Sequence, residues 1–272
     1  MQLDRTRIAI RERSFADLLD LALRVIREHA VPLAATFALG AVPMALFNHW
    51  LLAETFDDED LSSGVPWTYL FYTLFLLVWE LPLAAAPTTV YLGKALFEEK
   101  PTAADVAKDL LRSLPQLILF QVVLRGMLTF FIFTWPVLFA GWPYLNEILL
   151  LEQNPWRKRN AYSASTGSRS STMHARNHGE LFGRWLASIA VATGLVLAIW
   201  GALFYLQTFI TFHATMEHMI YAVHLQVAVW IVVSYFMVVR YLSYLDLRIR
   251  TEGWEVELMM RAEAARLARQ LA

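Results

Sequence analysis

Long apolar runs separated by short polar stretches dominate the hydropathy pattern of this chain. Four of the runs are each long enough to cross a hydrocarbon core of about 30 Å as an α-helix: 31–53, 67–93, 185–211 and 218–239. A fifth run, 114–153, is almost wholly apolar and about twice as long as one crossing requires. The pattern predicts an all-α fold, a polytopic helical membrane bundle with six transmembrane helices.

The run 114–153 yields two crossings only if the turn between them is tight. Trp135-Pro136 or 141–143 supplies the turn residues. The second crossing is short, so we expect it to tilt or to thin the bilayer. A re-entrant pair of helices is the alternative, and it leaves the topology unchanged.

Two amphipathic stretches precede apolar runs. In 14–29 the apolar residues recur on one helical face, and Ser14 with Asp17 forms a capping signature. In 101–113 the pair Thr102 and Asp105 repeats that signature. We interpret both as short interfacial helices, the alternative being ordinary soluble ones, and their similarity suggests repeated units of one such helix plus two spans. Chance similarity between amphipathic helices is the competing explanation.

Composition narrows the class of protein. Hydrophobic residues make up 57% of the chain and charged residues 17%, which is well below the roughly 25% of soluble domains. A net charge of -1 argues against a nucleic-acid partner, because it provides no general attraction for phosphates. The chain has no cysteine, which excludes disulfides and thiolate sites.

Basic residues lie on one side of the predicted crossings. Of the 23 Lys and Arg residues, 22 fall in the two ends of the chain and in the connections 94–112 and 157–184. The three alternate connections contain none, and the remaining cation is Arg125. The positive-inside rule then predicts a multi-pass protein of the bacterial cytoplasmic (inner) membrane with both termini in the cytoplasm. We expect the first span to serve as an uncleaved signal.

Two charges lie at mid-depth in consecutive crossings. Glu80 is the only formal charge in 67–93, and we expect Pro82 and Pro87 to break the helix just beyond it. Arg125 lies at a similar depth in the next crossing. Because unpaired charges in lipid are costly, we predict an intramembrane Glu80–Arg125 pair. Its role is either a substrate or proton pathway or a structural clasp that fixes helix register.

A second group of charges falls where helices leave the membrane on the cytoplasmic side. Arg240 is predicted to pair with Glu147 or Glu152, and the alternating charges that follow can bind lipid phosphates or the cytoplasmic loops. The predicted cytoplasmic-interface polar cluster consists of Glu147, Glu152, Arg240, Asp246, Arg248 and Arg250.

Catalytic and metal-binding patterns are weak. The acidic run 57–60 lacks the spacing of a calcium loop. A zinc site can be drawn from His49, His213, Glu217 and His224, but polar caps at a membrane surface explain these residues as well. The basic, serine-rich linker 154–184 is predicted to be a mobile loop or a surface helix that meets lipid phosphates. We predict no catalytic residue, no metal site and no cofactor.

Both ends of the chain carry a family signature. The segments Ser14-Phe-Ala-Asp-Leu-Leu-Asp-Leu-Ala-Leu-Arg24 and Tyr244-Leu-Asp-Leu-Arg-Ile-Arg-Thr-Glu-Gly-Trp-Glu-Val-Glu-Leu258 resemble bacterial polytopic proteins related to the membrane domain of glycerophosphoryl diester phosphodiesterase. The middle of the chain is similar only in hydropathy and in the run 149–152. The resemblance implies a helical membrane module without the separate catalytic barrel, so it carries over no catalytic residue.

These observations give a domain plan and a function class. The plan is a cytoplasmic arm with an amphipathic helix at 1–30, a transmembrane domain at 31–247, and a cytoplasmic C-terminal helix at 248–272. The expected function is that of a non-catalytic membrane module, not an enzyme, which binds lipid or a membrane or cytoplasmic protein partner. The alternative is a permease-like transporter component that uses Glu80 and Arg125. A solvent-filled cavity at that pair would favour transport.

Overall fold

Apolar runs of this length satisfy their backbone hydrogen bonds internally only as helices, and every regular element in the described part of the chain is helical. The computed structural model describes residues 13–57, 65–96, 98, 101–135, 142–155, 165–174, 177–212 and 220–252. The all-α prediction is therefore confirmed. Five of the helices are long and apolar enough to cross a membrane, as in a multi-pass membrane protein. The predicted count of six is not confirmed.

The described residues form eight helices, which we number in chain order. They are α1 (Phe15–Glu28), α2 (Ala30–Asp57), α3 (Trp67–Ala95), α4 (Ala103–Thr129), α5 (145–152), α6 (Thr166–His174), α7 (His178–Thr211) and α8 (Ile220–Glu252). The candidate crossings are α2, α3, α4, α7 and α8.

Helix α1 forms as its sequence predicts. The Ser14 hydroxyl accepts the backbone N–H of Asp17, and the Asp17 carboxylate accepts the backbone N–H of Ser14, which completes the capping box. The predicted apolar face is buried at Leu18, Ala22 and Val25. That face packs on α8, where the Tyr235 hydroxyl donates to the Leu19 carbonyl at 3.0 Å.

Helices α2 and α3 form a tight antiparallel pair. A Cβ atom on Gly40 would overlap the Ala84 carbonyl group, so the close approach of the two backbones requires glycine at this position. Our expectation that Pro82 and Pro87 break the helix was wrong, because α3 continues through both prolines to Ala95. The Asn146 side chain donates to the Pro82 carbonyl at 3.2 Å, which anchors α5 beside this point.

Helix α4 merges two predicted elements. Thr102 caps it by accepting the backbone N–H of Asp105, as expected. Our prediction of a separate short helix at 101–113 was wrong, since the helix continues to Thr129 with a π-helical stretch at Ile118–Leu124. In that stretch the Arg125 N–H bonds the Phe120 carbonyl, five residues back. The proposed repetition of one interfacial helix plus two spans stays a prediction.

The second half of the run 114–153 is only partly helical in the described residues. Helix α5 has eight residues and spans about 12 Å, less than half of a hydrocarbon core. Its N-terminal residues lie beside Pro82, and a Leu151 methyl group fills the space beside Gly93 near the end of α3. Helix α5 thus runs parallel to the second half of α3.

Part of the predicted linker 154–184 is a helix, α6, with Gly167, Ser171 and Thr172 exposed, which agrees with the surface-helix alternative. That the cations of this linker meet lipid phosphates stays a prediction. Helix α6 buries Thr166, Ser170, Met173 and His174 against the bundle. Its cation Arg169 binds protein carboxylates.

The core lies where α3, α8 and α1 meet, whereas α7 packs mainly along α8 and most of its residues are exposed. The backbone N–H of Arg13 donates to Asp246 at 2.9 Å. The first described residue and the last turns of α8 therefore lie at the same end of the bundle. We call this the closed end.

Candidate functional site: charged side chains at two depths

Glu80 lies halfway along α3, about 20 Å from either end of the helix. Its side chain is 4% exposed. The Asn48 amide of α2 donates to the Glu80 carboxylate at 2.9 Å. A neutral amide on the neighbouring helix therefore satisfies part of the hydrogen-bonding capacity of this buried acid.

Arg125 is 7% exposed and follows the π-helical stretch of α4. Its guanidinium donates to the Gln121 amide oxygen at 3.3 Å, one turn earlier on the same helix. Gly126, the next residue, leaves room for the Trp79 indole, whose N–H donates to the Val122 carbonyl at 3.4 Å.

The structure thus surrounds Glu80 and Arg125 with different contacts. Asn48 bonds Glu80, and Gln121 bonds Arg125. Trp79, the residue before Glu80, packs against Gly126, the residue after Arg125. A direct ion pair between them stays a prediction, and charge reversal tests it.

Arg240 resolves the choice between its two predicted partners. Its guanidinium binds Glu147 in a bidentate manner, with Nε to Oε1 at 2.7 Å and Nη2 to Oε2 at 3.1 Å. Glu147 is 1% exposed. The pair connects α5 to α8 and lies about 9 Å along α8 from Asp246, between mid-depth and the closed end.

Glu152 instead belongs to a network at the closed end. Arg169 of α6 binds the Glu152 carboxylate through Nε at 2.7 Å and Nη2 at 3.0 Å, and it also contacts Glu252. The Tyr244 hydroxyl donates to Glu152 at 3.1 Å, and Arg248 pairs with Glu252 at 2.9 Å. These contacts join α5, α6 and α8.

Asp246 is the centre of a second part of this network. Its buried carboxylate accepts from Arg184 of α7 at 2.8 Å, and Arg250 lies 3.1 Å away. Glu180 accepts from both arginines, at 2.9 Å from Arg184 and 2.8 Å from Arg250. Together with the Arg13 N–H, these contacts join α1, α7 and α8. Below, "end network" means Glu152, Arg169, Glu180, Arg184, Tyr244, Asp246, Arg248, Arg250 and Glu252.

Burial and charge act in opposite directions on two groups near this network. Burial raises the pKa of the Glu152 carboxyl, but the hydrogen bonds and charge of Arg169, with Arg248, outweigh it and hold that pKa below its usual value. Burial lowers the pKa of His174 to about 4. The His174 ring donates to the Ser170 carbonyl at 2.7 Å and stacks on Tyr144. Glu152 is therefore held charged and His174 neutral.

The ion pairs of the end network and the Glu147–Arg240 pair connect helices. Among the residues that the structure describes, no three His, Cys, Asp or Glu side chains form a group that could hold a metal ion. His213 and Glu217, which the zinc alternative requires, lie outside the described residues, as do residues 58–60 of the acidic run and the tail from 253 onward.

Three amide side chains that bond buried polar groups, and two arginines of the end network, were not predicted from the sequence. Asn48, Gln121 and Asn146 are at most 1% exposed and bind the buried polar groups. An amide inside an otherwise apolar span was the available signal, because lipid provides no hydrogen-bond partner for it. Arg169 and Arg184 had no comparable signal, since both fall in a polar linker where cations are ordinary.

No family model, curated protein or solved structure matches this chain.

Proposed function

We propose that this protein is a non-catalytic membrane module that binds lipid or a protein partner. The observation that carries the proposal is the enclosure of its mid-depth charges. Glu80 is 4% and Arg125 is 7% exposed, and each is hydrogen-bonded to an amide of the protein itself. A pathway for a substrate would require these groups to meet solvent, whereas a register clasp requires them to be enclosed.

We further propose six crossings with both termini in the cytoplasm of a bacterial inner membrane. Three features support this arrangement. Five helices have the length and apolarity of a crossing. The Arg13–Asp246 contact brings both ends of the described chain together, which requires an even number of crossings. The return from Thr129 through α5 to Arg169 supplies the sixth, and the connections at this end contain the basic residues.

The resemblance to the membrane domain of glycerophosphoryl diester phosphodiesterases remains part of this proposal. Its two signatures include Ser14 and Asp17 of the capping box and Asp246 and Arg250 of the end network. The residues that carry the resemblance therefore hold α1 and α8 in place. A structural role for both signatures agrees with a module that has no catalytic domain.

Single cysteines test this proposal directly, because the natural chain has none. Val65→Cys and Ala107→Cys replace exposed residues that the proposal assigns to opposite sides of the membrane, and Glu80→Cys replaces the enclosed acid. With an impermeant maleimide on intact cells, only Val65→Cys should react. Ala107→Cys should react after permeabilisation, and Glu80→Cys should stay unlabelled until the protein is denatured.

Two outcomes would overturn the proposal. Labelling of Ala107→Cys rather than Val65→Cys in intact cells would invert the topology. Labelling of Glu80→Cys in the folded protein would favour the permease-like alternative. That alternative has one supporting observation: within the described residues, Asn48 Oδ1, Gln121 Nε2 and Asn146 Oδ1 are buried atoms without a protein hydrogen-bond partner, as expected for groups that bind water.

A further inference from the structure

One turn of α3, residues 78–82, meets amide side chains from two neighbouring helices. Asn48 of α2 donates to the Glu80 carboxylate at 2.9 Å, and Asn146 of α5 donates to the Pro82 carbonyl at 3.2 Å. Both amides are at most 1% exposed. Two helices therefore direct polar groups at a single turn in the middle of a candidate membrane crossing.

A third amide lies at the same level on α4. The Trp79 indole N–H donates to the Val122 carbonyl at 3.4 Å, and Gln121 is the residue before Val122. Gln121 is buried, and its amide oxygen accepts from Arg125 at 3.3 Å. Helices α2, α4 and α5 thus each contribute one buried amide at the level of the 78–82 turn.

Each of the three amides uses only one of its two ends. Within the described residues, Asn48 Oδ1 and Asn146 Oδ1 have no hydrogen-bond partner, and neither has Gln121 Nε2. Pro82 adds a further acceptor, because it has no N–H to bond the Val78 carbonyl four residues back. Leaving such groups unpaired costs more than immobilising a water molecule. Ordered water is one of the groups that satisfy carbonyls freed by proline in membrane helices.

Apolar contacts close off this turn in both directions along α3. Toward the start of α3, Leu52, Tyr69 and Leu76 belong to one buried cluster. Toward its end, Ala41 and Ala84 belong to a second. The polar groups of the turn lie between these clusters, which favours a small enclosed site over a continuous polar pathway.

We propose that the 78–82 turn holds a buried cluster of water molecules, which Asn48, Gln121 and Asn146 bind and which hydrates the Glu80 carboxylate. Water both donates and accepts hydrogen bonds, so it suits the two amide oxygens and the amide nitrogen alike. A metal cation would suit only the oxygens. This inference rests on the enclosure that carries the proposed function. It assigns the unpartnered amide atoms to water sealed inside the bundle rather than to a pathway.

Radiolytic oxidation of the full chain in detergent tests for this water. A short X-ray pulse converts water to hydroxyl radicals, which oxidise the side chains beside it, and mass spectrometry gives the rate at each residue. Trp79 and Trp200 are matched reporters, since both are half-buried and each donates its indole N–H to a carbonyl of a neighbouring helix. Trp79 should be oxidised several-fold faster, because it adjoins the proposed cluster and Trp200 does not.

Asn146→Leu should reduce the oxidation rate of Trp79 to that of Trp200, because it removes an amide that holds the water. Asn48→Leu should act in the same direction. Asn154→Leu is the control, since it makes the same change outside the cluster, just after α5. It should leave the oxidation rate of Trp79 as in wild type.

Equal oxidation of Trp79 and Trp200 in wild type would overturn the water cluster, and this comparison requires no variant. The proposed function would then stand if Glu80→Cys remains unlabelled by the impermeant maleimide. If Glu80→Cys is labelled in the folded protein while Trp79 is oxidised quickly, the water belongs to an open pathway, and both the sealed cluster and the proposed function fail. A metal ion bound to purified wild type and lost in Asn48→Leu would assign the site to a cation and overturn the water proposal.

Discussion

Charged side chains at mid-depth and at the closed end are held in different ways. Glu80 and Arg125 bond to neutral amides, Asn48 and Gln121. In the end network each carboxylate binds at least one guanidinium, and Glu152 binds Arg169 through two hydrogen bonds. The Glu147–Arg240 pair lies between the two regions. Like the contacts of the end network, it is an ion pair between a carboxylate and a guanidinium. At mid-depth the observed hydrogen bonds come from amides, whereas ion pairs join α5, α6, α7 and α8 toward the closed end.

The largest expected effect comes from breaking the Glu147–Arg240 pair. Arg240→Ala leaves a carboxylate that is 1% exposed without its guanidinium, and breaking such a pair destabilises a protein by about 3–5 kcal/mol. Thermal unfolding in detergent measures the loss. Arg24→Ala, at an exposed position of α1, is the control and should cost under about 0.5 kcal/mol. If Glu147→Ala combined with Arg240→Ala is less stable than Arg240→Ala alone, Arg240 does not act through Glu147.

Charge reversal at mid-depth tests whether Glu80 and Arg125 form a direct ion pair. Glu80→Arg and Arg125→Glu should each destabilise by about 2.5–3.5 kcal/mol, the scale for a misplaced charge in a helix centre. A direct Glu80–Arg125 pair predicts that the double variant regains much of this loss, whereas separate amide contacts predict that it does not. The yield and unfolding temperature of the three variants distinguish the two arrangements.

His174 is the exception near the closed end, since it is buried and the charged groups that act on its pKa, His178 and Arg240, are both basic. Its pKa of about 4, below the usual 6.5, means that the unfolded chain binds the proton more readily. Stability is therefore fully present above about pH 6.5 and falls as the pH drops toward 4, by up to about 3 kcal/mol. His174→Gln should flatten the stability profile between these pH values. An unchanged slope in that variant would mean that another group titrates there.

Removing the charge of Glu80 while keeping its shape should cost less than removing its hydrogen bond. Glu80→Gln retains an oxygen that accepts from Asn48, so it should remain within about 1 kcal/mol of wild type. Glu80→Leu leaves the buried Asn48 amide without this partner and should cost about 1–3 kcal/mol. A larger loss in Glu80→Gln than in Glu80→Leu would show that the charge itself is required.

The smallest effects are expected at the helix caps. Ser14→Ala and Thr102→Ala each remove a side chain that accepts a backbone N–H, which costs about 1 kcal/mol. Ser14→Ala should also weaken the contact of α1 with α8, because Arg13 precedes the cap and bonds Asp246. Hydrogen exchange of α1 should therefore rise in Ser14→Ala, and exchange of α8 should rise only near Asp246.

Particular residues show which features of the fold could be predicted from the sequence. The caps at Ser14 and Thr102 were predictable because each depends on residues three positions apart. Helix α4 was divided wrongly because Pro115 and a change in amphipathicity mark a boundary that the backbone passes through. The partner of Arg240 stayed open between Glu147 and Glu152, since the two acids differ by little more than one helical turn and only the placement of α5 against α8 separates them.

The helical class, the apolar runs of the five candidate crossings and the location of the basic residues were predictable from the amino-acid sequence. These follow from length, apolarity and local charge, which each segment carries without reference to the others. Only the packing of the helices shows that Asn48 meets Glu80, that Arg169 meets Glu152 and that Arg240 meets Glu147. Such contacts depend on the rotation and relative height of packed helices. The fit of all side chains together sets this rotation and height, and no single segment contains both partners of such a contact.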